Sequence, residues 1–136
     1  MTGIFGSWNT QSGNPPNGIP GFLHGVSGAG PIAVASGQSV HVTAFASINN
    51  PERLSGPLYF LIFYAPIDSP GSLIPVGQEQ EQDFSGDIPT FQIGSTALIQ
   101  NLPEGNYIFG LAARLPVGGL ANMLAATAGA STALIF

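Results

Sequence analysis

The chain contains no cysteine and no lysine, and it carries few charged residues of either sign. Without cysteine there is no disulfide framework and no thiolate metal site. Charged residues make up 7% of the 136 residues, whereas an average soluble domain has roughly 25%. The only basic side chains are Arg53 and Arg114, and the net charge is −5. Because nucleic-acid binding needs a basic patch to neutralise phosphates, this composition predicts no nucleic-acid partner.

Hydrophobic runs long enough to cross a bilayer are also missing. The longest apolar stretch, Leu58 to Pro66, has nine residues, and a transmembrane helix needs about 20. We therefore predict no insertion into a membrane. Residues 1–6 show neither the basic nor the continuous apolar segment of a secretory signal peptide. Three origins stay open: a leader that has been removed, an unconventional export route, or assembly inside a cell, as for virion proteins.

The scarcity of charge bears on how the protein meets its surroundings. A soluble monomer usually carries a mixed-charge surface, and an apolar surface is tolerable when copies of the chain or a partner cover it. This reasoning predicts homo-oligomers. The alternative is a secreted monomer with a surface of Ser, Thr, Asn and Gln.

Residues 1–36 differ in composition from the rest of the chain, being rich in Gly, Pro, Ser and Asn. Proline fixes φ and lacks an N–H, so neither a helix nor a central strand can run through this segment. We assign it as an extended N-terminal arm. It also holds large apolar side chains, which we expect to contact either their own domain or a neighbouring copy. These predicted subunit-contact residues are Ile4, Phe5, Trp8, Phe22 and Leu23.

Residues 37–136 read as short strands separated by turns, which predicts an antiparallel β-sandwich of about seven strands. Val40 to Ile48 alternates apolar and polar residues with a period of two. Leu58 to Tyr64 is apolar on both faces, so we predict a central or doubly covered strand. Pro75 limits its segment to a sheet edge. Leu120 to Ala126 is predicted to form one or two helical turns.

A resemblance to a known group of folds starts at Leu102, in the pattern Leu-x-x-Gly-x-Tyr completed by Gly105 and Tyr107. This pattern resembles the corner between strands E and F of immunoglobulin-like and fibronectin-III-like sandwiches. The resemblance is to bacterial secreted or cell-surface modules of this kind. It implies that the ring of Tyr107 caps the core while its hydroxyl bonds backbone near the turn.

Two further segments fit the same resemblance. Asn49 to Pro51 followed by Leu58 to Pro66 is similar to the region between strands B and C, and Leu111 to Phe136 resembles an F–G hairpin with an enlarged loop. The chain lacks the cysteine pair and the strand-C tryptophan of antibody domains. The expected fold is therefore an all-β, immunoglobulin-like or jelly-roll-type sandwich with an N-terminal arm. The resemblance implies adhesive or structural roles outside the cell and supplies no catalytic residues.

No set of residues in the sequence is typical of catalysis. A nucleophilic mechanism needs a Ser or Cys beside an oriented His, and the two histidines, His24 and His41, stand in the arm and on a predicted strand without a Gly-x-Ser-x-Gly motif. Gly25 to Gly30 is followed by Pro31 and no lysine, so it is not a phosphate loop. We predict that the protein is not an enzyme and has no cofactor.

Two weaker candidate sites concern ions and sugars. Glu79, Glu81 and Asp83 alternate along one side of an extended segment, where oxygen ligands can hold Ca²⁺. Their spacing matches no EF-hand loop, and the solvated interpretation is favoured. Sugar stacking on Trp8, Tyr59 and Tyr64 is the other candidate, although core packing accounts better for the tyrosines and a partner groove for the tryptophan.

These observations favour a self-assembling structural subunit of an extracellular filament or surface appendage, in which the arm of one copy packs on the next. The first alternative is a virion protein that decorates a capsid or forms part of a tail. The second is a secreted module that binds carbohydrate or another ligand.

Overall fold

In the computed structural model, residues 2–7, 24–68, 73–115 and 125–136 are described, with side-chain environments for residues 27–68, 73–115 and 129–136. All regular structure in these residues is β-strand. The eight strands are β1 Thr2–Ser7, β2 His24–Val34, β3 Val40–Asn49, β4 Gly56–Pro66, β5 Ile74–Phe84, β6 Thr90–Ile99, β7 Gly105–Arg114 and β8 Ala125–Ile135.

The strands form two four-stranded antiparallel sheets. Sheet 1 has the order β1-β8-β3-β6, and sheet 2 has the order β2-β7-β4-β5. The first strand thus pairs with the last, the second with the seventh, the third with the sixth and the fourth with the fifth. This nested pairing of eight strands in two sheets is a jelly roll. The all-β sandwich expected from the sequence is confirmed.

The strand order differs from the immunoglobulin one at the C-terminal end. An F–G hairpin was expected over Leu111 to Phe136, but β7 lies in sheet 2 and β8 lies in sheet 1. That expectation was wrong, because the corner motif is local to the β6–β7 connection and does not determine where β8 pairs. Of the predicted helical turns, residues 120–124 fall outside the described residues, and Ala125 and Ala126 belong to β8.

The boundary placed between residues 36 and 37 needs correction. Residues 24–34, assigned to the arm, form β2, which pairs with β7 along the edge of sheet 2. Ile32 and Val34 are buried in the inter-sheet core. Glycine and Pro31 do not exclude a strand at a sheet edge, where a bulge is tolerated, and β2 has two register shifts.

The core lies between the two sheets and is built by alternation along each strand. On β3, Val40, Val42 and Ile48 are completely buried, and the intervening residues face outward. On β4 both faces are buried, since Ile62 points into the main core and Phe63 into a second cluster on the other face of sheet 2. β4 lies between β7 and β5, so the prediction of a central or doubly covered strand is confirmed.

The connection between β3 and β4 is held by a buried amide. Asn50 is 1% exposed. Its Oδ1 accepts from the Leu54 N–H at 2.9 Å, and its Nδ2 donates to the carbonyl oxygens of Leu54 at 2.9 Å and Ser85 at 3.3 Å. Asn50 therefore ties the loop between β3 and β4 to the β5–β6 turn.

Candidate interaction surface

The charged residues are distributed unevenly over the two sheets. Both arginines and all seven carboxylates lie on β5, on β7 or in the connections between strands. The four strands of sheet 1 contain no Asp, Glu, Lys or Arg. Their one titratable side chain is His41. One side of the sandwich is therefore without formal charge on its strands, although the chain as a whole is acidic.

The outer side of sheet 1 is formed by the residues that alternate with the core positions. We call this surface the uncharged face. Its described side chains are His41, Thr43, Phe45 and Ser47 of β3, Gln92, Gly94, Thr96 and Leu98 of β6, and Ala130, Thr132 and Leu134 of β8.

Two large apolar side chains stand exposed on the uncharged face. Phe45 on the central strand is 47% exposed, and Leu98 on the edge strand is 49% exposed. Gly94 lies directly opposite Phe45 on β6, so no side chain from that position covers the ring. Leu98 lies opposite His41, so the Thr43–Thr96 pair stands between the two apolar side chains. Each is a separate exposed apolar residue, which is ordinary on a protein surface, but both stand on a sheet face that carries no formal charge.

Several polar groups of the uncharged face are hydrogen-bonded to one another or to backbone. Thr43 lies opposite Thr132 on one side and Thr96 on the other. The Thr96 hydroxyl donates to the Val42 carbonyl oxygen at 2.9 Å. Its oxygen then accepts from the Thr43 hydroxyl at 3.2 Å and from His41 Nε2 at 3.0 Å. Because these polar atoms already have partners, covering the face leaves them satisfied.

Glu79, Glu81 and Asp83, which we call the acidic segment, lie on β5 at the outer edge of sheet 2. Glu79 accepts a bidentate pair of bonds from Arg114, at 2.8 Å from Nε and 2.6 Å from Nη2. The guanidinium carbon stands 4.5 Å from the ring centre of Tyr59. Hydrogen bonding to Glu79 raises the pKa of Arg114, against a smaller opposing effect of burial. Glu79 is therefore engaged as the partner of a cation.

The structure does not bring the candidate ion ligands together into a larger cluster. Glu81 and Asp83 are exposed on β5, and within the described ranges no group of three or more His, Cys, Asp or Glu side chains is placed to hold a metal ion. Pro75 and the acidic segment belong to one edge strand, which confirms the edge position expected from the proline.

The tyrosines take structural positions. Tyr64 is half-buried and meets Tyr107 edge-on, with ring centres 5.8 Å apart. The Tyr107 hydroxyl donates to the Pro103 carbonyl oxygen at 2.5 Å, and the neighbouring Leu102 is buried. A Cβ added at Gly105 would lie 3.5 Å from the Tyr107 ring. Gly105 thus lies against the Tyr107 ring at the start of β7, and Leu102 and Tyr107 belong to the same core cluster.

The predicted subunit-contact residues of the arm are only partly described. Ile4 and Phe5 lie on β1, where their backbones are opposite Ala133 and Thr132 of β8 in the same chain. Trp8, Phe22 and Leu23 lie outside the described residues. His24 begins β2. His41 is on sheet 1, whereas Glu79, Glu81 and Asp83 are on sheet 2.

The uncharged face was not identified from the sequence. A signal for it exists, because Phe45 stands among the outward positions of an alternating strand whose other outward residues are polar. That Leu98 joins it on the same face depends on the pairing of β3 with β6, which are distant in the chain.

The described part of the chain contains no helix long and apolar enough to span a membrane. Comparison of the sequence with models of known protein families gives no match, and comparison with curated protein sequences gives none either.

Proposed function

We propose that this protein is a non-enzymatic structural subunit that assembles with copies of itself, outside the cell or on its surface. The observation that carries the proposal is the uncharged face, an exposed sheet surface with Phe45 and Leu98 on a chain of net charge −5. An acidic chain repels its own copies except where the charge is absent. Sheet 1 offers such a place.

The chemistry of the described residues supports a structural role in a second way. Three of the side chains considered for chemistry make contacts within the fold: Glu79 binds Arg114, His41 binds Thr96, and the ring of Tyr59 lies against the Arg114 guanidinium. An extracellular or surface location is favoured by the absence of lysine, since a surface with so few basic residues offers little to trypsin-like proteases.

The jelly roll supports one alternative function directly. This strand order occurs in viral capsid and lectin domains, which keeps the virion subunit as a second proposal. Both functions need the chain to associate, so they differ in the partner and not in the type of surface. Fold alone does not choose between them.

The proposal is tested by the mass of the purified full-length protein. We expect sedimentation velocity and electron microscopy to show particles larger than the 13.9 kDa monomer, with the proportion rising with protein concentration. Phe45→Lys places a charge in the uncharged face and is expected to weaken association at least tenfold, which corresponds to about 1.4 kcal/mol.

The matched control is Ile88→Lys. Ile88 is 46% exposed, close to the value for Phe45, but lies in the β5–β6 connection. The Ile88→Lys variant should associate as strongly as the unaltered protein. A monodisperse monomer at every concentration would contradict the proposal, and a lectin-like or other ligand-binding role would then be the next to test.

A further inference from the structure

Among the described residues, the two sheets have four edge strands, and three of these carry features that oppose pairing with another chain. β1 has only six residues. β2 contains Pro31 and two register shifts. β5 contains Pro75, a register shift opposite β4 and the acidic segment. Short length, proline, bulges and charge are the means by which proteins protect sheet edges.

The fourth edge strand, β6, has none of these features. It consists of ten residues with no proline and no charge. Each of its residues pairs with β3 from Thr90↔Asn49 to Ile99↔Val40 without a register shift. A long, regular and uncharged edge is a template for strand addition.

The hydrogen bonds at the ends of β3 show which backbone groups of β6 point outward. Ser39 exchanges both of its backbone bonds with Phe136, at 2.8 and 3.0 Å, and the Asn50 N–H donates to the Pro89 carbonyl oxygen at 2.8 Å. In an antiparallel ladder, successive residues direct their N–H and C=O groups to opposite sides. The even-numbered residues of β3 therefore direct their backbone N–H and C=O groups towards β6. Their hydrogen-bonding partners there are the odd-numbered residues of β6.

It follows that the even-numbered residues of β6 direct their N–H and C=O groups away from β3. No described strand lies on that side, because β6 ends sheet 1. The outward groups belong to Thr90, Gln92, Gly94, Thr96 and Leu98. Four of these residues also contribute to the uncharged face, so the free edge and the face are continuous.

Resting on the proposed self-assembly, we infer that β6 pairs antiparallel with β6 of a second copy across a two-fold axis. The two copies of sheet 1 then form one continuous eight-stranded sheet, and this edge contact is distinct from a contact that covers Phe45 on the uncharged face. In a two-fold contact, residue i of one copy meets residue j of the other and j meets i, so each strand segment faces the same segment of the second copy. The same contact through β5 would oppose Glu81 and Asp83 to their equivalents, whereas β6 brings no like charges together.

Hydrogen exchange of the full-length protein tests this pairing directly. In a concentrated sample, the outward amides of Gln92, Gly94, Thr96 and Leu98 should exchange at least tenfold more slowly than in a sample diluted to monomer. The amides of Ile93, Ser95 and Ala97 already face β3 and should change less. Equal exchange of the outward amides in both samples, with association present, would overturn the inference.

A pair of substitutions at one position separates the backbone from the side chain. Gln92→Pro removes an outward N–H and keeps the β3 ladder, whereas Gln92→Ala removes the side chain and keeps the N–H. Proline is tolerated on an edge strand where its nitrogen faces outward. We expect Gln92→Pro to weaken association at least tenfold relative to Gln92→Ala by sedimentation, with cooperative thermal unfolding retained in both.

The outcomes distinguish the inference from the function on which it rests. If the unaltered chain assembles and the proline and alanine variants assemble equally, the β6 contact is wrong and self-assembly stands. If the unaltered chain is monomeric, both the β6 contact and self-assembly fail.

If Gln92→Pro does not fold, Leu98→Pro and Leu98→Ala replace the pair, and the hydrogen-exchange comparison decides without any variant. Open fibres that are lost with Gln92→Pro but contain no two-fold dimer would overturn the two-fold geometry.

Discussion

At the scale of single residues, several described polar side chains hydrogen-bond neighbouring strands and loops to one another. Asn50 fixes one connection with three hydrogen bonds, and Arg114 joins β7 to β5 through Glu79. The Thr96 hydroxyl joins three residues of β3. Such bonds contribute about 1 kcal/mol each, and they cost more when one partner is removed from a buried site.

Tyr107 offers the clearest test at this scale. Tyr107→Phe removes the hydroxyl that donates to the Pro103 carbonyl oxygen at 2.5 Å, while the ring keeps its contacts with Tyr64 and Phe109. We expect the free energy of unfolding to fall by about 1 kcal/mol, measured by denaturant titration at pH 7.

Tyr107 should also make the folded state less stable at alkaline pH. Burial raises the pKa of Tyr107, and the neighbouring Tyr64 raises it further. The unfolded chain then loses the phenol proton first, as pH rises through about 10. The contribution of Tyr107 to the free energy of unfolding is complete below that pH, and it falls as the pH rises towards the pKa of Tyr107 in the folded protein. The unfolding midpoint should drop between pH 9 and pH 11, with a smaller drop in Tyr107→Phe; equal drops in the two proteins would contradict this origin.

At the scale of elements, close backbone approach determines the joint between β2 and β7. A Cβ added at Gly110 on β7 would overlap the carbonyl oxygen of Ser27 and lie 2.7 Å from the Cα of Gly28. β2 has a register shift next to Ser27, which brings its backbone over this position. Only glycine fits there without movement of one strand.

Gly110→Ala should therefore destabilise the protein by about 1–3 kcal/mol, the range for overpacking a well-filled site. Gly94→Ala on β6 is the matched control, because its added Cβ would lie 3.3 Å from the Ala44 carbonyl oxygen and β6 is free to move at the sheet edge. Thermal unfolding of the two variants should show the larger loss for Gly110→Ala. Similar losses would mean that β2 can shift outward at little cost.

At the scale of the whole molecule, the sandwich extends further towards the N-terminus than composition suggested. β2 closes the edge of sheet 2 and supplies Ala29, Ile32 and Val34 to the core. Burying one aliphatic side chain of this size contributes about 1.5–3 kcal/mol. Because total stabilities are about 5–15 kcal/mol, the loss of a whole strand is comparable with the stability of the domain.

Two truncations test this assignment. A chain that starts at Gly37 should lack cooperative thermal unfolding, since it has no β2. A chain that starts at His24 keeps β2 and loses β1, and should still unfold cooperatively at a lower temperature. Circular dichroism on heating distinguishes them. A cooperative transition in the shorter chain at the full-length temperature would return the domain boundary to residue 37.

The local sequence determined the parts of this protein that depend on neighbouring residues. The two-residue period of β3, the doubly apolar β4, the proline that places β5 at an edge and the Leu-x-x-Gly-x-Tyr corner at Tyr107 are all readable in order along the chain. Each is governed by φ/ψ preferences, turn chemistry and alternation over about ten residues.

Only the tertiary structure decided what depends on pairing between distant strands. In the tertiary structure, β8 lies between β1 and β3, and β2, from the predicted arm, is part of sheet 2. Glu79 pairs with Arg114, and Phe45 and Leu98 lie on the same uncharged face. Alternation fixes which side chains share a face of one strand, but it does not say which strand lies beside it. Strand partners are chosen by burial of the core as a whole, and that choice is non-local.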